Sequence, residues 1–152
     1  MYKKILVPLD GSELAECTLL HVTNLVKDGH AVEVILLNIL EIRTYDRIEA
    51  EVPASILMEI REKARDAARK YLAGLESRLA AEGIKVKTVS LDGKRAANAI
   101  TDYANKNGID MIVLGTHGHS GLKKMMLGSV TLEVLHDSHV PVLLIRPEAC
   151  KM

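Results

Sequence analysis

Phenylalanine and tryptophan are absent from this chain, and four tyrosines are its whole aromatic content. A core without large rings has to be packed from Val, Ile, Leu, Ala and Met, and a nucleic-acid surface built on base stacking is poorly supplied. Net charge is lacking as well: twenty Lys and Arg balance twenty Asp and Glu. That balance leaves no electrostatic footprint for DNA or an anionic membrane, so neither nucleic acid nor membrane is expected as a partner. No apolar run approaches the ~20 residues that span a bilayer. The first such run, ILVPL after a short basic start, is too brief for a secretory leader and reads as a strand. Cysteine is reduced to Cys17 and Cys150, at opposite ends of the chain. A disulfide is therefore not expected, and the pair reads as inert thiols in a reducing, cytoplasmic setting.

What the chain does have is aliphatic patterning. Apolar residues make up 48% of the 152, enough for one folded domain, here taken as residues 1–152, with a substantial core. Short apolar runs at 4–9, 31–40, 111–115 and 141–147 read as buried strands, and 84–91 alternates as a strand with one wetter face. Between them, 14–26, 56–79, 96–106 and 129–138 carry helical spacing, while 41–53 has no clear period. In the longest, Ile56, Ile60, Ala64, Ala67, Tyr71, Leu75 and Leu79 recur every three or four positions, and Gly83 follows as a stop signal. Strand–helix alternation of this kind demands right-handed crossovers and a doubly wound five-stranded parallel sheet, with helices on both faces. If the first three strands wind one way and the last two the other, the order is 3-2-1-4-5.

That order puts a topological switch point between strands one and four, where α/β sheets bind ligands beyond the strands' carboxyl ends. Two loops meet there, PLDGSE (8–13) and GTHGHSG (115–121). Four of the ten glycines, Gly115, Gly118, Gly121 and Gly128, fall in the second loop and its continuation. Glycine tolerates positive φ and lets main-chain N–H groups approach an anion. Gly128 and Ser129 open a helix whose unpaired N–H groups and dipole favour negative charge. Asp10 faces the same crevice with a carboxylate suited to a sugar or base. The spacing matches neither a P-loop nor the dinucleotide fingerprint.

Gly115-x-x-Gly118-nine residues-Gly128-Ser129 resembles the G-x2-G-x9-G-[ST] motif of the ATP-binding branch of the universal stress proteins. KKILVPLDGSE and SVTLEVLHDSHVPVLLIRP look like the first strand and last helix–strand unit of that family, so the resemblance covers the whole chain. It implies an adenine nucleotide alpha hydrolase-like fold and ATP as ligand, with Mg2+ or Mn2+ bridging the phosphates. Pro8, Leu9, Asp10 and Ile39 would surround adenine and ribose. Gly115, Thr116, His117, Gly118, Gly128, Ser129, Val130 and Thr131 would hold ribose and phosphates. It also implies a homodimer through the last strand, VPVLLIR, whose bare edge has a physical motive for pairing. One departure stands out: where members often show Gly-x-Pro after strand three, this chain has Gly93-Lys94-Arg95.

Plainer readings compete. The glycine loop can be a turn without a ligand. Asp10 and Ser12 can be caps of the first helix, with Glu13 completing a capping box, and Ser129 can be a cap as well. His117 and His119 form an H-x-H pair, but a closed zinc site needs four ligands, so they read as solvated, as do Lys123 and Lys124. Met125 and Met126 read as cover for apolar surface. The leading expectation is a nucleotide-dependent stress-response regulator, with at most slow hydrolysis because His117 is the one candidate base and no arginine finger is evident. The alternatives are a dimeric interaction module that binds no nucleotide, and an enzyme using the crevice on another nucleotide.

Overall fold

The structure, a computed structural model, describes residues 1–41, 51–116 and 127–150. The strands are β1 (Tyr2–Pro8), β2 (Ala31–Glu41), β3 (Lys85–Gly93), β4 (Met111–Gly115) and β5 (Val142–Ile145). The helices are α1 (Glu13–Lys27), α2 (Ala54–Ala81), α3 (Ala96–Lys106) and α4 (Ser129–Asp137), followed by a terminal 3-10 helix, Pro147–Cys150. All ladders are parallel and the sheet order is β3-β2-β1-β4-β5, the order expected if the winding reverses after the third strand. The unpatterned stretch 41–53 falls largely outside the described residues.

Both faces of the sheet are covered, and strand alternation sorts the core into two halves. Ile5, Val7, Val34, Leu36, Met111 and Val113 meet α1 and α2 through Leu19, Val22, Leu72, Leu75 and Leu79. Leu6, Ile35, Leu37, Ile112 and Leu114 meet α3 and α4 through Ala97, Ile100, Ala104 and Val134. Ile5, Leu6 and Val7 are each 0% exposed, and burying such a side chain contributes ~1.5–3 kcal/mol. This two-sided burial is why β1, β2 and β4 read as continuous apolar runs. The outermost strands differ. β5 is half-buried except at Ile145, and β3 has no fully buried residue, because each has a neighbour on one side only.

Helix ends follow local chemistry. Past α2, Gly83 adopts φ +82°. Its N–H donates to the Ala80 carbonyl at 2.9 Å, and that of Ile84 to the Leu79 carbonyl at 3.1 Å, the paired bonds of a Schellman stop.

One expectation is overturned. Cys17 and Cys150, 133 positions apart in sequence, are joined in a disulfide with Cα atoms 5.7 Å apart. Distance along the chain carried no information about distance in space. β5 delivers the terminal turn to the face covered by α1, where both cysteines pack against the same apolar cluster.

Candidate functional site

The ladder between β1 and β4 ends at Leu6–Ile112, whereas β1 stays paired to β2 as far as Pro8–Leu37 and β4 to β5 as far as Gly115–Ile145. Beyond Leu6 the sheet therefore parts at its carboxyl end, and a cavity of about 200 Å³ lies in the gap. Pro8, Leu9 and Asp10 line it from β1, and Leu37 and Ile39 from β2. Leu114 and Gly115 of β4 meet Ala96 and Ile100 of α3 across it, and Ala15 of α1 closes one corner. Gly128, Ser129, Val130 and Thr131, at the start of α4, form the remaining wall.

The β1–α1 loop is tied down at nearly every residue. Leu9 N–H donates to the Leu37 carbonyl at 2.8 Å, and the Leu9 carbonyl accepts from Asn38 Nδ2 at 2.9 Å. Gly11 makes the turn at φ +84°, a backbone shape costly to any residue with a Cβ. Asp10 Oδ1 accepts from Ser12 N–H at 2.9 Å, and Ser12 Oγ accepts from Ala15 N–H at 3.2 Å. Ser12, not Asp10, is thus the cap of α1. The third helical residue is Ala15, so Glu13 completes no capping box. Asp10 itself is solvent-exposed. Behind it, burial and then the charge of Glu16, with a smaller contribution from Asp10, push the Tyr71 hydroxyl well above the usual tyrosine range.

The second loop leaves and returns through one fixed point. Thr116 N–H donates to the Ile145 carbonyl at 2.9 Å, and the Thr116 carbonyl accepts from Gly128 N–H at 2.8 Å. Thr131 Oγ1 donates to the Gly115 carbonyl at 3.0 Å. Thr116, 3% exposed, is consequently part of the pin rather than of the cavity wall. Gly128 is the N-cap of α4 in extended conformation, with no side-chain cap bond. Ser129 is therefore the first helical residue and not a cap. Among the described residues no side chain caps α4, and its first main-chain N–H groups stand beside the cavity, the arrangement that favours an anion. His117 and Gly118 lie outside the described residues, as do His119, Gly121, Lys123, Lys124, Met125 and Met126.

The β3–α3 loop also reaches the site. Ala96 N–H donates to Glu41 Oε1 at 3.0 Å, so the end of β2 caps α3 from outside. Arg95 pairs with Glu133 of α4, bracing the two helices whose first turns flank the cavity. Sequence reasoning missed Ala15, Leu37, Ala96, Ile100 and Leu114. Leu37 was recoverable, because it stands two residues before Ile39 on one strand face. Ala96 and Ile100 are four apart on one helix face, but nothing in the sequence says which helix faces the gap. Asn38 carried a signal as well, the lone amide in AVEVILLNIL. Among the described residues no group of three or more His, Cys, Asp or Glu is placed to hold a metal ion, and no helix is long and apolar enough to cross a membrane.

Comparison with known proteins bears on this geometry. The family model described as "Universal stress protein family" matches residues 1–146. Universal stress protein MJ0531 of Methanocaldococcus jannaschii is 33% identical over 96% of this chain and 83% of its own length. The solved structure of the protein MJ0577 is 36% identical, covers 96% of each chain and superposes with a TM-score of 0.83. A more distant likeness, 13% identical with a TM-score of 0.67 over 95% of this chain and 91% of the other, is to a family protein of Arabidopsis thaliana solved with AMP bound.

Proposed function

This chain belongs to the universal stress protein family, and from that premise we propose that it binds ATP in the gap between β1 and β4 and acts as a nucleotide-dependent regulator in the response to stress. The observation that carries the reading is the pairing of two environments in one cavity: aliphatic walls at Leu37, Ile39 and Ile100, and the α4 start at Gly128 without a side-chain cap. Adenine fits the first and phosphate the second. Asp10 and the neighbouring Pro8 and Leu9 take the ribose edge. Gly115, Ser129, Val130 and Thr131, with His117 and Gly118, make up the phosphate side on this reading, and Thr116 serves it indirectly as the pin of the loop. At about 200 Å³ the cavity is smaller than the ~300–1,000 Å³ that encloses a whole small ligand. It suits a base and sugar, with the phosphates at the mouth beside Gly115 and the start of α4. The plant relative, similar in fold, was solved with AMP bound, which supports an adenine nucleotide as the class of ligand.

Magnesium or manganese would enter with the nucleotide. Asp10 is the one carboxylate among the described residues lining the cavity, and so small a set of protein ligands suits a hard cation held mainly by phosphate and water oxygens rather than one caged by protein. Such an ion would neutralise phosphate charge. Hydrolysis is slow on this reading, since Arg95 is engaged by Glu133 and only His117 is a candidate base. The outer edge of β5, with half-buried Val142, Leu143 and Leu144, gives the chain a surface for pairing with a second copy, and the protein works as a homodimer in the cytoplasm.

Thermal melting with and without nucleotide tests the proposal. Ligand at a hundredfold excess over its dissociation constant stabilises the native state by ~2.7 kcal/mol, so ATP with magnesium should raise Tm and Gly118→Val should abolish the rise. ADP and AMP in parallel report which phosphates are gripped. An unchanged Tm at millimolar ATP would instead identify an interaction module with an unused crevice. Light scattering checks the dimer.

A further inference from the structure

We propose that Cys17 and Cys150 are an exchangeable dithiol–disulfide site, closed and opened by low-molecular-weight disulfides and thiols, that clasps the chain's C-terminal segment onto α1. The site is separate from the nucleotide cavity and does not depend on it.

The geometry first requires that the bond can form. The Cα atoms stand 5.7 Å apart, inside the ~4.4–6.8 Å range of ordinary disulfides. The geometry also favours reversal, because the two partners differ in anchorage. Cys17 is the fifth residue of the fifteen-residue α1, between core residues Ala15 and Leu19. Cys150 ends a four-residue 3-10 turn whose neighbours Glu148 and Ala149 are exposed. A single exposed turn of this size opens locally without disturbing the body of a protein. Neither cysteine is fully buried, so a small thiolate has a path to a sulfur. Once reduced, Cys150 keeps a partner, since its Sγ lies 3.8 Å from the Arg146 carbonyl in its own turn. A permanent staple is the rival account, and reduction under native conditions distinguishes the two.

The exchange balances with glutathione-type reagents. In closing, the Cys150 thiolate attacks one sulfur of the oxidised reagent and expels one small thiolate. The Cys17 thiolate then attacks Cys150 Sγ in the mixed disulfide and expels the second. The protein gives up two electrons and two protons, and one small disulfide becomes two thiols. Opening is the reverse. Closed, the clasp fixes the segment that follows β5 to the helix that also supplies Ala15 to the cavity wall, so the protein senses thiol redox poise through that segment.

The full chain is equilibrated in native buffers of graded reduced-to-oxidised glutathione ratio, quenched with acid, alkylated and weighed intact. Both thiols should disappear together within a single chain as the buffer becomes oxidising, and return in reducing buffer without denaturant. Tm should rise on closure, and amide exchange at 148–150 should slow. Cys150→Ser and Cys17→Ser should each remove the redox dependence of Tm. Two alkylatable thiols at every ratio, or cross-links between chains, would overturn the pairing. A bond that survives excess dithiothreitol until denaturant is added would show a permanent staple and overturn the exchange. The wild-type titration decides even where a serine variant folds poorly.

Discussion

The side-chain amide of Asn38 donates to the main-chain carbonyl of Leu9 over 2.9 Å, so one polar side chain inside the apolar strand β2 holds the residue from which the β1–α1 loop departs. Asn38 shares a strand face with Leu36, which packs under α1, while Leu37 and Ile39 face the cavity. It therefore positions the loop without lining the site. Asn38→Leu should cost ~1–3 kcal/mol, the lost hydrogen bond plus a carbonyl left without its donor, measured by urea denaturation. It should also weaken ATP binding several-fold by calorimetry, because Asp10 is no longer presented from a fixed point. Asn38→Asp, which sets a carboxylate against the carbonyl, should be worse on both counts.

Gly93 closes β3 against the cavity wall. A Cβ there would stand 3.1 Å from Ala99 Cβ and 3.3 Å from Ile39 Cγ2. Of these two the Ile39 side chain is the one able to yield, and it lines the cavity. Gly93→Val should destabilise by ~1–3 kcal/mol through overpacking and reduce ATP affinity as well. Leu72→Ala is the contrasting variant. It lies in the opposite half of the core at 2% exposure, so it should cost ~2–5 kcal/mol and leave affinity per folded molecule unchanged.

Two glycines of α2 and its stop should respond in opposite directions to the same change. Gly74 is exposed in the helix interior with open space around a Cβ, so Gly74→Ala should raise stability by ~0.5–1 kcal/mol. Gly83 has equal space but φ +82°, so Gly83→Ala should lower it by ~1–2 kcal/mol. Both are read from denaturant midpoints.

Alkaline stability should depend on Tyr71. Burial first, and then the charge of Glu16, hold its hydroxyl in the neutral form beyond the usual tyrosine range. Unfolded tyrosine ionises near pH ~10, so below that value neither state is charged and the contribution is intact. Above it the unfolded chain releases the proton first, and stability falls as pH rises. Tyr71→Phe should flatten this alkaline decline in a urea series run across pH ~9–12.

Much of the architecture was legible in one dimension. The helix over 96–106 and the strand over 111–115 match the observed α3 and β4 residue for residue, since a strong 3.6-residue period and a five-residue apolar run each admit one reading. The order of strands followed because crossover handedness leaves few alternatives once a switch is assumed. Several expected site residues, Pro8, Leu9, Asp10, Ile39, Gly115 and Gly128 to Thr131, line one cavity, while Thr116 turned out to fasten the loop's two ends. The roles of Asp10, Ser12 and Ser129 were not separable in sequence, because capping and ligand binding call for the same residue types.

Alone, the order of amino acids determined which segments are strands and helices, which faces are apolar, and where glycines interrupt side-chain cover, because these depend on neighbours a few positions away. Only the folded chain decided that Cys17 meets Cys150, that Asn38 holds Leu9, and that Ala96 and Ile100 line the same gap as Leu37. Those contacts join residues carried together by the crossovers, and their distances are set by how helices pack on a twisted sheet, a quantity no local pattern contains.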